Sequence, residues 1–229
     1  ATKAHIVLMP GDGVGPEITA QAVKAMDAVS KKFDVAFKTT EVAIGGAAID
    51  AHGVPLRPED LAICKKADAV LLGAVGGPAW DNIEVALRPE RGLLALRKGM
   101  GLFANLRPVA VNPFLAHTSP IKTEIVSGTD LVVVRELTGG IYFGKPSGQR
   151  ITSKGRAAVD TMRYSEDEIV RVVRLAFELA ETRRKQLASV DKMNVLATSR
   201  LWRQIVEEIA PDYPDVTVEH VLVDSMSMR

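Results

Sequence analysis

Short apolar runs alternate with segments of helical spacing along this chain. His5 to Met9 is apolar, and the Gly- and Pro-rich stretch PGDGVGP breaks it. Pro16 suits the first turn of a helix and Glu17 suits its positive end. Ile18, Ala22, Ala25, Met26 and Val29 then recur at i, i+4, i+7, i+8 and i+11, the mark of an amphipathic helix. Phe33 to Val42 reads as a strand, IGGAAID as a loop, and Arg57 to Lys66 as a short helix. Asp68 to Ala74 is continuously apolar, as expected of a strand buried on both faces. GGPAWD reads as a loop.

The alternation continues with strands at Phe103 to Val111 and Leu131 to Val134. The strongest helix is Ser165 to Arg184. Ser165 and Glu168 have the spacing of a capping box, and Ile169, Val172, Val173, Ala176, Phe177 and Ala180 form its apolar stripe. Leu187 to Val190 reads as a strand, and Trp202, Ile205, Val206 and Ile209 mark a helix. Val216 to Val223 is the last strand. Strands alternating with helices predict an α/β protein with a largely parallel sheet. Gly139 to Tyr164, rich in Gly, Ser, Lys and Arg, fits no helix and reads as an exposed hairpin or arm.

Composition narrows the function classes. The 229 residues correspond to one or two domains. A chain 47% hydrophobic and 25% charged is not disordered. The net charge of +1 gives no basic face for nucleic acid, and no apolar run has the length of a membrane span. The one cysteine, Cys64, excludes a disulfide framework and a zinc ribbon. With no signal-peptide pattern at the start, the expected compartment is the cytoplasm.

GDGVG at Gly11 to Gly15 has the context of a dinucleotide fingerprint but places Pro16 where Gly or Ala is required, so by itself it reads as a tight strand-to-helix turn. His5, His52, His117 and His220 show no metal-ligand spacing. Arg97, Arg107 and Arg135 are more informative, because an arginine within or at the end of an apolar element is costly unless an anion pairs with it. They read either as separate salt-bridged side chains or as a cluster gripping a di- or tricarboxylate through forked hydrogen bonds. Tyr142 between glycines, Lys192 at a strand end and Asp224 at another each have an ordinary reading as packing, solvated lysine and helix cap. A hard-cation ligand is the sharper reading of Asp224.

Taken together, MPGDGVGPE, IGGAAID, LLGAVGGPAWD, RPERGLLALR, LFANLRP, VRELTGGIYFG, MRYS, SVDKMNVL and VEHVLVDSMSM resemble, in order and spacing, the β-decarboxylating dehydrogenases, and within them the 3-isopropylmalate branch. The resemblance implies a two-domain α/β fold with a mostly parallel sheet and an extended dimerisation arm. The first domain would begin with residues 1–101 and contact NAD. Residues 102–229 would form the substrate and dimerisation domain, with the arm at about 139–164. It implies substrate-binding roles for Arg97, Arg107, Arg135 and Asp224, catalytic roles for Tyr142 and Lys192, and a metal-binding role for Asp224 toward Mg or Mn. Val14, Gly77, Pro78, Trp80, Asp81, Arg88, Pro89 and Glu90 would meet the nicotinamide half of NAD. Leu93 and Leu94 present an apolar wall suited to an isopropyl group, and Glu90 would repel a third carboxylate, which favours 3-isopropylmalate over isocitrate. Tartrate- or malate-type specificity is the alternative. The implied reaction is NAD-dependent oxidative decarboxylation to 4-methyl-2-oxopentanoate, in leucine biosynthesis, by a homodimer with shared active sites. Members of the family continue beyond the position of Arg229, and that part supplies two more metal-binding aspartates and most of the adenosine pocket. A non-catalytic fragment is therefore the second reading of this chain.

Overall fold

The first apolar run forms β1 (Thr2–Gly11), the centre of a three-stranded parallel sheet in the computed structural model, which describes residues 2–228. Helix α1 (Gly15–Lys32) leads to β2 (Val35–Glu41) on one side of β1. Helices α2 (Gly46–His52) and α3 (Pro58–Cys64) lead to β3 (Ala69–Ala74) on the other, and α4 (Pro89–Gly99) follows. Val7 and Met9 on one face of β1 and Leu8 on the other are buried, because a central strand is covered on both faces. Val7 and Met9 pack with Ile44, Cys64 and Leu96. The chain leaves β1 in one direction and returns on its other side, so a topological switch point lies at the carboxyl ends of β1 and β3. Gly11 stands there opposite Ala74 at φ 70°, and a side chain on it would run into the Ala74 carbonyl.

Two local expectations change. IGGAAID, read as a loop, supplies most of α2. Its glycines mark a helix start, not a loop, and the Gly46 and Ala47 amides are satisfied by the distant Asp12 carboxylate. Gly53, at φ 76°, closes this helix with its N–H on the Ile49 carbonyl at 2.7 Å. The stretch 77–90 contains two single 3-10 turns, Pro78–Trp80 and Val85–Leu87, before α4 begins at Pro89.

The chain divides into two compact units, Ala1–Gly101 and Leu102–Arg229. In the second, β4 (Ala104–Ala110) is joined through a 3-10 segment and the one-turn helix α5 (Thr123–Val126) to β5 (Asp130–Glu136). With no long crossover helix between them, these strands pair antiparallel. The expected hairpin follows as the antiparallel pair β6 (Gly148–Thr152) and β7 (Gly155–Val159). Helix α6 (Glu166–Glu181), β8 (Gln186–Asp191), α7 (Ala197–Ile209), β9 (Thr217–Leu222) and the short α8 (Val223–Met226) complete it. Strands β8 and β9 are parallel across α7. Parallel pairing thus builds the sheet around β1 and the β8–β9 pair, while β4–β5 and β6–β7 add antiparallel pairs that the alternation does not announce.

Helix α6 begins where the capping box places it, with the Ser165 N–H donating to Glu168 Oε2 at 2.8 Å. Ile169, Val172, Val173 and Phe177 of α6 meet Ile205, Val206 and Ile209 of α7 in one apolar core. Val134 of β5, Leu187 of β8 and Val218 of β9 lie against it. Among the described residues no helix is long and apolar enough to cross a membrane.

Candidate functional site

Register on β4–β5 brings two of the three arginines together. Asn105 lies opposite Arg135 and Arg107 opposite Val133. Side chains alternate along a strand, so Asn105, Arg107 and Arg135 share one face, with Arg107 and Arg135 on a diagonal of roughly 7–8 Å. The other face carries Ala104 and Val134 to the core. Arg107 Nε donates to Asn105 Oδ1 at 2.6 Å, which orients the guanidinium. The Arg135 guanidinium lies 5.3 Å from the centroid of the Tyr142 ring, and Tyr142 is 64% exposed. Two cationic forks and a phenol therefore face solvent together, an arrangement suited to a carboxylated ligand.

The turn that carries Tyr142 is held from beneath by Glu136, a residue without a distinctive sequence signal. Its buried carboxylate accepts from the Thr138 N–H at 2.8 Å, the Thr138 hydroxyl at 2.6 Å and the Gly139 N–H at 2.9 Å. Arg171 donates to the same hydroxyl and lies 3.8 Å from Glu136. Gly140, at φ 73°, donates its N–H to the Arg163 carbonyl at 2.8 Å. The Tyr164 hydroxyl occupies the space a side chain on Gly140 would need.

Lys192 and Asp224 form a second constellation in the same unit. Lys192 follows β8, and its Nζ lies 2.5 Å from Asp224 Oδ1. Asp224, expected to close a strand, sits instead in the short helical turn after β9. The strand end is anchored by Asp191, whose buried carboxylate receives Arg203 Nε at 2.9 Å and Nη2 at 3.2 Å and the Met193 N–H at 2.9 Å. The Lys192 N–H donates to Ser199 Oγ at 3.0 Å. Asp191 is a second residue that sequence reasoning missed, because its partner Arg203 stands 12 positions later on α7, outside any local pattern.

The Lys192 ammonium holds the Asp224 carboxyl below the usual aspartate range, chiefly through their hydrogen bond. A carboxylate held low in the folded chain contributes stability above its unfolded pKa and loses it as pH falls through the folded value. Carboxyl carbon shifts of Asp224 across an acid titration are expected to show a midpoint below that of an ordinary aspartate. The midpoint should return upward in Lys192→Ala; an unmoved midpoint would show that the pair does not form.

In the first unit, α4 arranges Glu90, Leu93, Leu94 and Arg97 at i, i+3, i+4 and i+7, on one helix face. Leu96 points to the core instead. Val14 is 54% exposed on the turn after β1. Between them runs the Gly77–Glu90 stretch, in which Arg88 Nη2 donates to the Asp81 carbonyl at 3.1 Å, Pro89 is buried and Trp80 Nε1 donates to Asp50 at 3.1 Å. Gly77, Pro78, Trp80, Asp81, Arg88 and Glu90 thus lie on one connected stretch of chain.

A family model described as isocitrate/isopropylmalate dehydrogenase matches residues 5–229. The chain belongs to that family. It is 57% identical over 225 residues to the 3-isopropylmalate dehydrogenase of Dehalococcoides mccartyi, covering 98% of this chain and 62% of that protein. It is 57% identical over 226 residues to the 3-isopropylmalate dehydrogenase of Pseudomonas putida, of which it covers 63%. The crystal structure of isocitrate dehydrogenase from Methylococcus capsulatus matches with a TM-score of 0.80 at 30% identity, over 98% of this chain and 62% of that one. The chain therefore spans somewhat under two thirds of the length of these relatives. Among its described residues no three His, Cys, Asp or Glu side chains are placed to hold a metal ion. Asp224 is a single carboxylate, and Mg takes several oxygen ligands, so the residues present do not amount to a metal site.

Proposed function

We propose that the protein to which this chain belongs carries out NAD-dependent oxidative decarboxylation of 3-isopropylmalate to 4-methyl-2-oxopentanoate, a step of leucine biosynthesis, in the cytoplasm. The observation that carries this reading is the shared face of Arg107, Arg135 and Tyr142, supported by the match to relatives named 3-isopropylmalate dehydrogenase. Arg107 and Arg135 bind the substrate carboxylates, and Arg97, on α4 of the first unit, is a further carboxylate-binding residue. Leu93 and Leu94 supply the dry wall for the isopropyl group. A substrate with a third carboxylate would leave that group unpaired beside Glu90, a large penalty.

NAD supplies the acceptor for the hydride from C2. Lys192 takes the hydroxyl proton, and after loss of CO2 Tyr142 delivers a proton to the carbon that carried it. The exposed Val14 and the glycines before Trp80 suit close approach of a flat ring at the switch point of the sheet. A divalent ion, Mg or Mn, would polarise the substrate in the whole protein, where Asp224 would be one of several carboxylates needed to hold it. The functional unit is a homodimer with shared active sites, with the β6–β7 hairpin as its arm.

The single metal-directed carboxylate also favours a second reading, that the 229 residues alone are non-catalytic. Both readings are tested by following NADH formation with 3-isopropylmalate, isocitrate, tartrate and malate, on this chain and on the full-length protein. Turnover confined to 3-isopropylmalate in the full-length protein, and none in the chain, is the expected result. Preference for another substrate would overturn the assignment.

A further inference from the structure

The switch point of the first sheet is held by one carboxylate, and we propose that Asp12 is the positioning residue of the Gly77–Glu90 loop. This rests on the reading above that the loop meets the nicotinamide half of NAD. Asp12 is 3% exposed at the end of β1. Its Oδ2 accepts from the Gly46 N–H at 2.8 Å and from the Gly76 N–H at 2.7 Å. Its Oδ1 accepts from the Ala47 N–H at 2.7 Å. Its own N–H donates to the Ala74 carbonyl at 2.7 Å, and its carbonyl accepts from Gly15 at 2.8 Å. One residue thus joins the start of α1, the start of α2 and the exit from β3.

The loop depends on these ties because its other bonds are internal, Arg88 to the Asp81 carbonyl, or run to the first turn of α4, Arg91 to the Val85 carbonyl. Val85 and Leu87 are exposed, and Pro89 alone between 77 and 90 is buried. Trp80 packs across Gly46 and donates to Asp50, so the first turn of the loop is fastened to α2. Asp12 fastens α2 and Gly76, the residue just before the loop, to the same point. Val14 stands two residues further on that turn, exposed. The spacing between Val14 and the loop, which would decide whether a nicotinamide ring fits between them, is thereby set by the Asp12 side chain.

The acceptor geometry separates two substitutions. An asparagine can keep its oxygen at the Oδ2 position, retaining Gly46 and Gly76 and giving up Ala47. An alanine gives up all three bonds. Amide hydrogen exchange on the 229-residue chain is expected to rise by about tenfold or more at residues 46–47 and 76–90 in Asp12→Ala, with helix α6 unchanged. In Asp12→Asn the rise should be confined to Ala47. Fluorotryptophan NMR distinguishes Trp80 from Trp202, and the Trp80 signal should shift in the alanine variant only. Uniform loosening of residues 2–101, or an unaltered loop, would overturn the proposal. If the alanine variant does not fold, faster exchange at Gly76 in the asparagine variant would overturn it. A final arm adds NAD to the full-length protein, which carries the rest of the adenosine pocket, and follows the Trp80 signal there. NAD should shift it in the unaltered full-length protein and do so about tenfold more weakly in its Asp12→Ala variant. No shift in the unaltered full-length protein would defeat the nicotinamide reading of the loop, while the exchange data decide the role of Asp12 independently.

Discussion

Lys192→Ala is expected to lower turnover of 3-isopropylmalate in the full-length protein by about 10²- to 10⁴-fold, the range contributed by a positioned acid or base. KM for the substrate should change little. The scaffold gives the reason. Asp191 with Arg203, and the Lys192 N–H with Ser199, hold the strand end without using the Lys192 side chain. The lost ion pair with Asp224 is half in solvent, where such pairs contribute little to stability. Folding and carboxylate binding therefore survive while the proton acceptor is removed. Steady-state kinetics with parallel thermal unfolding would check this. Turnover within a few-fold of the unaltered protein would remove Lys192 from the role of base.

Phe177→Ala is expected to cost about 3–5 kcal/mol, the usual range for emptying a buried aromatic site. Phe177 is fully buried and stacks on Tyr213, with centroids 4.8 Å apart and ring planes at 13°. Its cluster is also where Val134 and Leu187 rest, so the strands that carry Arg135 and precede Lys192 share one support. Urea unfolding should show a lower midpoint with an unchanged slope, and Phe177→Leu a smaller loss. A cost below about 1 kcal/mol would mean that the site collapses around the missing ring.

The residues that line the proposed site were legible in the sequence, whereas those that hold it were not. Helix α6 announces itself through its stripe and its Ser165–Glu168 box, and β3 through an unbroken apolar run. Arg107 and Arg135 stand out because a guanidinium in an apolar strand calls for a partner. Their common face depended on the register between β4 and β5, which no local pattern gives. Asp12 and Glu136 carry no special signal either, since most of the groups that donate to them are backbone amides and any amide in the chain has the same chemistry. Asp12 reaches amides 34, 35 and 64 positions away. Helix α2 was misread for the same reason: its first turn is completed by a carboxylate from another segment.

The β6–β7 hairpin and the turn bearing Tyr142 are wired together at the hairpin's base. Thr161 donates to the Pro146 carbonyl at 2.8 Å, Ser147 to Asp160 at 2.7 Å, and Gly140 to the Arg163 carbonyl. Tyr164 closes the other side of that turn. The hairpin is thus built like a lever with its fulcrum beside the phenol. A torque applied at its tip would be passed to Tyr142 through these ties, so whatever grips the lever would also set the aim of the proposed proton donor.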